Sequence, residues 1–155
     1  MIDNEDVGDV VEQALQVGYR HIDTAQAYGN EQGIGRAIRE SAIPRTELFL
    51  TTKVAAEVKT YNDGVQAVEE SLHALATDYI DLMIIHSPKP WAAYAHDERY
   101  FDGNRELWRA LEEAYTKGYL KSIGVSNFLR EDIDNILDSC TVKPMVNQIL
   151  VHISN

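Results

Sequence analysis

A single cysteine, Cys140, stands among 155 residues, and one thiol cannot close an internal disulfide. It falls in a segment, 133–140, whose apolar spacing reads as a helix face, so an inert thiol is expected there and not a nucleophile. Long apolar runs are missing as well. No window approaches the roughly 18 apolar residues of a membrane span, and residues 1–9 are acidic without the apolar core of a signal peptide. A membrane partner is therefore not expected, and a cytoplasmic location is. Positive charge is scarce: 14 Lys and Arg oppose 25 Asp and Glu, for a formal net charge of -11. With no dense basic stretch, such a surface repels phosphate backbones and anionic lipid, which also removes nucleic acid as a partner. His21, His73, His96 and His152 show no ligand spacing with one another or with Cys140, so no metal is expected. No low-complexity tract and no repeat beyond the secondary-structure period is visible.

What is present is ordinary in amount and regular in order. An apolar fraction of 45% and a charged fraction of 25% belong to a soluble globular chain, and the length suits one domain, 1–155. Two kinds of segment alternate: amphipathic stretches with a period near 3.6, and short continuous runs of Val, Ile and Leu. Helices are expected over 7–15 (capped by Asn4 or Asp3 and closed by Gly18), 31–40, 65–76, 104–117 and 130–139. Strands are expected over 19–23, 48–54, 79–86, 122–126 and 145–151. Runs such as Leu82, Met83, Ile84, Ile85 are apolar on both faces, as in parallel strands covered by helices. The expected fold class is α/β: a partial (β/α)8 barrel of about five parallel strands with alternating helices. One long segment, 87–103, follows the third strand and carries Trp91, Tyr94, Tyr100 and Phe101. It is either an ordered surface loop packed on the helix below or a substrate-contacting loop.

Polar residues gather at the strand ends: Asp23, Lys53, His86, then Ser126 with Asn127, while Asn147 and Gln148 lie within the fifth strand. In a parallel barrel the carboxyl ends share one face, where barrel enzymes keep their active sites. The strings around these residues are GYRHIDTAQAYGNE (18–31), TTKV (51–54), DYIDLMIIHSP (78–88), KSIGVSNF (121–128) and VNQI (146–149). Together, and in this order, the chain resembles an aldo-keto reductase of the 2,5-diketogluconate reductase-like kind. Gly29, Gly33 and Gly35 superficially suggest a phosphate-binding loop, but their spacing is wrong for a dinucleotide fingerprint, and turn and packing roles fit better.

The resemblance implies NADPH-dependent reduction of an aldehyde, ketone or ketosugar, with a catalytic tetrad of Asp23, Tyr28, Lys53 and His86. It also implies that Ser126, Asn127 and Gln148 hold the nicotinamide carboxamide. Hydride addition leaves negative charge on the carbonyl oxygen, so a proton donor and positive or hydrogen-bonding groups belong beside it. Tyr28 is the implied donor, strengthened as an acid by the Lys53 cation. Asp23 would keep Lys53 charged inside the barrel mouth, and a neutral His86 would orient the substrate. Taken singly, each has a plainer reading: Asp23 as a loop cap, Lys53 as a solvated strand end, Tyr28 as a surface aromatic, His86 as a histidine satisfied by a backbone carbonyl. Against the family pattern the sequence is short at both ends, without the first strand and without the C-terminal segment that binds the adenosine phosphate. After Asn-Gln-Ile it continues with Leu150 and Val151 in place of the family's acidic and aromatic residues. Two consequences are expected. Open sheet edges mean either a fragment of a longer protein or closure as a homo-oligomer, and a catalytically silent subunit or nucleotide-binding module stands as the alternative to an enzyme acting on a small-molecule carbonyl substrate.

Overall fold

The structure, a computed structural model, describes residues 2–153; Met1, Ser154 and Asn155 lie outside the described residues. Helix α1 (Val7–Gln16) buries Val7, Val11 and Leu15, one stripe at i, i+4, i+8. Its chain turns at Gly18, where φ of 105° sits in the left-handed region, and Arg20 Nη1 donates to the Leu15 carbonyl at 3.0 Å. The expected cap is different. Asp6 is the N-cap residue, with no side-chain cap bond, because Asn4 Oδ1 accepts instead from the Gly33 N–H of α2 (Glu31–Glu40) at 2.8 Å.

Gly33 and Gly35 serve packing. A Cβ on Gly33 would strike the Asn4 carbonyl and Val7, and one on Gly35 would lie 2.6 Å from the carbonyl carbon of Leu75. Helix α2 is thus wedged between α1 and the end of α3 (Tyr61–Leu75). Helix α3 begins four residues before the apolar pattern starts, because Thr60 caps it by accepting from the Asp63 N–H. Helices α4 (Phe101–Thr116) and α5 (Arg130–Leu137) complete the layer, and Trp108 of α4 donates to the Val142 carbonyl at 3.0 Å from within the core.

Five strands, β1 (His21–Asp23), β2 (Phe49–Val54), β3 (Leu82–Ile85), β4 (Ile123–Ser126) and β5 (Asn147–Gln148), pair in sequence order and all in parallel. Every residue of β3 and β4 is buried, as expected where helices cover one face and the concave interior lies against the other. The terminal strands are shorter than their apolar runs. Each has a single neighbour, so pairing stops where the chain leaves it, and Leu150 and Val151 beyond β5 are left 74% and 73% exposed.

The sheet is strongly curled. In a flat five-stranded sheet the outer strands would be about 19 Å apart, four spacings of about 4.8 Å. Here Gln148 Nε2 on one outer strand donates to Asp23 Oδ2 on the other at 3.0 Å. Five parallel strands alternating with helices therefore form a half-barrel, part of a (β/α)8 barrel.

Candidate active site

The curl brings the carboxyl ends of the strands around one mouth. Lys53, next to last in β2, points into the concave side and is 2% exposed. Its ammonium pairs with Asp23 Oδ1 at the end of β1 and donates to the Thr24 carbonyl at 2.8 Å. A buried ammonium is costly without a counter-ion, and the adjacent carboxylate supplies one. Tyr28 stands on a single 3-10 turn (Gln26–Tyr28) just after β1. Its ring centre is 5.2 Å from Lys53 Nζ, and its hydroxyl has no partner among the described residues.

His86 follows β3 directly and closes the group. Its ring meets Tyr28 edge to face at 5.7 Å and Trp91 at 5.2 Å between centroids. Burial, and next the Lys53 charge, push its pKa below the usual 6.5, so the imidazole is neutral at neutral pH. Its backbone N–H is bonded to the Val54 carbonyl, but its buried Nδ1 has no partner among the described residues. The plainer expectation, a ring satisfied by a backbone carbonyl, does not hold. Nor does that of a solvated strand end for Lys53. Trp91, 43% exposed, stacks on Tyr94 at 5.5 Å, while the Tyr94 hydroxyl meets the Ser87 hydroxyl at 2.7 Å. The segment after β3 is thus an ordered loop that presents an aromatic wall at His86.

Ser126, Asn127 and Gln148 adjoin the same mouth. Asn127 has a left-handed φ of 60°; its backbone N–H bonds the Gln148 carbonyl at 3.0 Å, and its Nδ2 donates to the His86 carbonyl and to Ser126 Oγ, both at 3.1 Å. Ser126 Oγ donates to the Gln148 carbonyl at 2.9 Å. Because Gln148 also bonds Asp23, six of the seven residues singled out from sequence are linked by hydrogen bonds or the ion pair, and the seventh, Tyr28, packs between Lys53 and His86. Asn127 Oδ1 and Gln148 Oε1 remain without partners among the described residues, two acceptors suited to the NH2 of a carboxamide. Gln26, which anchors the Tyr28 turn, escaped the sequence reading; its bonds run to α3, far along the chain, and no local pattern marks them.

Elsewhere the chemistry is quiet. Burial raises the Cys140 thiol above its usual range, which suppresses the thiolate, and His21 Nε2 is tied to Thr51 Oγ1 at 2.9 Å. Among the described residues no group of three or more His, Cys, Asp or Glu is placed to hold a metal, and no helix is long and apolar enough to cross a membrane.

Comparison with known proteins agrees with this fold. Glyoxal reductase of Bacillus subtilis is 42% identical over 142 residues, covering 92% of this chain and 48% of that protein. The crystal structure of an aldo/keto reductase from Brucella melitensis superposes with a TM-score of 0.88 at 42% identity, over 97% of this chain and 54% of that one. A Bombyx mori aldo-keto reductase solved in complex with NADP gives 0.81 at 36% identity, over 95% and 48%. The chain spans about half the length of the curated relatives it matches. The family model for aldo/keto reductases matches residues 1–155, and with this match and a curled sheet of parallel strands alternating with helices, the chain belongs to the aldo/keto reductase family.

Proposed function

We propose that this chain carries the catalytic half of an NADPH-dependent reductase of aldehydes, ketones or ketosugars, organised as one barrel domain over 1–155 and located in the cytoplasm. The observation that carries the reading is the buried Lys53–Asp23 pair with the Tyr28 ring beside the ammonium and a neutral His86 next to that ring. Tyr28 Oη gives its proton to the substrate oxygen as the alcohol forms, and a proton from water restores it. Lys53 stabilises the phenolate left behind, Asp23 holds Lys53 in place as its counter-ion, and one ring N–H of His86 orients the carbonyl oxygen. When bound, NADPH supplies the hydride. Ser126, Asn127 and Gln148 would hold its carboxamide, with the unpartnered oxygens of Asn127 and Gln148 accepting from the NH2 group. Glyoxal reductase activity in a relative makes small dicarbonyls natural first substrates.

The test follows loss of reduced-nicotinamide absorbance with a panel of aldehydes and diketones. Turnover is expected to exceed that of a Tyr28→Phe variant by at least about 100-fold, the lower end of what a general acid contributes. Equal rates would overturn the reading, and NADPH binding without turnover would mark the chain as a nucleotide-binding subunit.

A further inference from the structure

A second polar network lies behind the tetrad, on the helix side of β2. The turn that carries Tyr28 has two hydrogen bonds of its own, Tyr28 N–H to the Ala25 carbonyl at 3.0 Å and Gly29 N–H to the Gln26 carbonyl at 3.1 Å. So short a 3-10 turn has little stability by itself, and the Tyr28 hydroxyl is not anchored, so the position of the phenol must be set by something else. The Gln26 amide in the same turn is bonded on three sides. Its Nε2 donates to the Ala67 carbonyl at 2.7 Å and to the Ser71 hydroxyl at 3.0 Å, both on α3, and its Oε1 accepts the Ala55 N–H, just past β2, at 2.9 Å.

Both amide hydrogens and one carbonyl lone pair are thereby used. Ser71 Oγ continues to Glu31 Oε2 at 3.4 Å, and Thr52 Oγ1 donates to Glu31 Oε1 at 2.6 Å. Glu31 is buried, has no cation partner among the described residues, and is raised by burial above the usual carboxyl range. The network thus begins two residues before Tyr28 and ends one residue before Lys53. It ties the turn bearing the phenol to the strand bearing the ammonium from the rear.

We infer that Gln26 is a positioning residue: its bonds to Ala67, Ser71 and Ala55 fix Tyr28 against Lys53 and His86. It touches no substrate and acts through Tyr28 alone. The inference rests on the reductase reading, in which Tyr28 is the proton donor, but the geometric part can be measured without turnover.

Gln26→Leu removes all three bonds while keeping much of the side-chain bulk. The expected result is a fall in kcat on the order of 100-fold, as for a misplacement of about 1 Å, with KM for the aldehyde changed less than about twofold. The Tyr28 ring should also lose its proton cross-relaxation to the His86 ring in NMR spectra. Ser71→Ala, which removes one bond of the three, should move both readouts in the same direction by less, and it carries the test if Gln26→Leu fails to fold. Retention of the Tyr28–His86 contact in the variants overturns the inference, as does a kcat that stays within twofold of wild type. If wild type and Tyr28→Phe turn over alike, the reductase reading fails by itself, and the ring contact alone decides the role of Gln26.

Discussion

At the scale of single residues, Asp23 and Glu31 show two opposite uses of a carboxyl. Among the described residues Asp23 is the sole carboxylate paired with a lysine that is 2% exposed, and it also accepts from Gln148. Asp23→Asn keeps the shape and removes the charge. The fold is expected to survive nearly intact, since Asp23 is itself 37% exposed, while kcat falls on the order of 100-fold as Lys53 loses its counter-ion and the contact that fixes it beside Tyr28. A rate at least half that of wild type would count against the assigned roles.

Glu31 instead receives bonds only from Thr52 and Ser71, and burial, the largest influence on it, raises its pKa above 4.5. The folded chain therefore prefers the neutral carboxyl. The stability tied to this group is fully present below the unfolded pKa and is lost as pH rises through the folded one. Glu31→Gln, uncharged throughout, is expected to melt higher than wild type at pH 7 and close to it below about pH 4. Thermal melts at the two pH values check this, and a variant that melts lower at pH 7 would remove the assigned cost of burial. Asp23, Lys53, His86 and Ser126 were legible in the sequence because strand ends are legible. Gln26 was not, because its partners lie 29, 41 and 45 positions away, two of them on a helix whose sequence reads only as amphipathic.

At the scale of elements, apolar periodicity located the five α-helices and five strands of the described residues, and for α2 both ends as well, but none of the three short 3-10 turns. It failed where polar chemistry or neighbours set a boundary. The first turn of α3, Tyr61, Asn62, Asp63, Gly64, is polar and helical because Thr60 caps it. The ends of β1 and β5 depend on whether a strand lies alongside, which a single run of residues does not encode. Glycine spacing likewise said little about contact, yet Gly35 is where α2 meets the backbone of α3. Gly35→Ala would set a methyl against the carbonyl group and Cα of Leu75, backbone atoms that cannot swing aside. We expect a loss of about 1–3 kcal/mol, the usual range for overpacking, read as a lower midpoint in urea with unchanged slope. Full stability would mean that the two helices can separate freely.

At the scale of the whole molecule, the half-barrel leaves β1 and β5 each with one unpaired edge. Beside β5 the apolar side chains of Ile149, Leu150, Val151 and Ile153 are exposed. Edges of this kind associate unless covered, so we propose that residues 1–155, on their own in solution, pair these edges with a second copy. Light scattering after size exclusion is expected to give at least twice the monomer mass. A monodisperse monomer with a cooperative melt would show that the edges are tolerated as they stand.

The bond from Gln148 to Asp23 spans this open arc as a chord, and the length of a chord sets the curvature of its arc. Sheet shape and catalytic charge are therefore mechanically joined. Any force that unrolls the strands, whether heat, pressure or a mismatched neighbour, pulls first on the carboxylate that steadies Lys53. The site would then go silent before the helices let go, and loss of turnover would run ahead of loss of helical signal on heating.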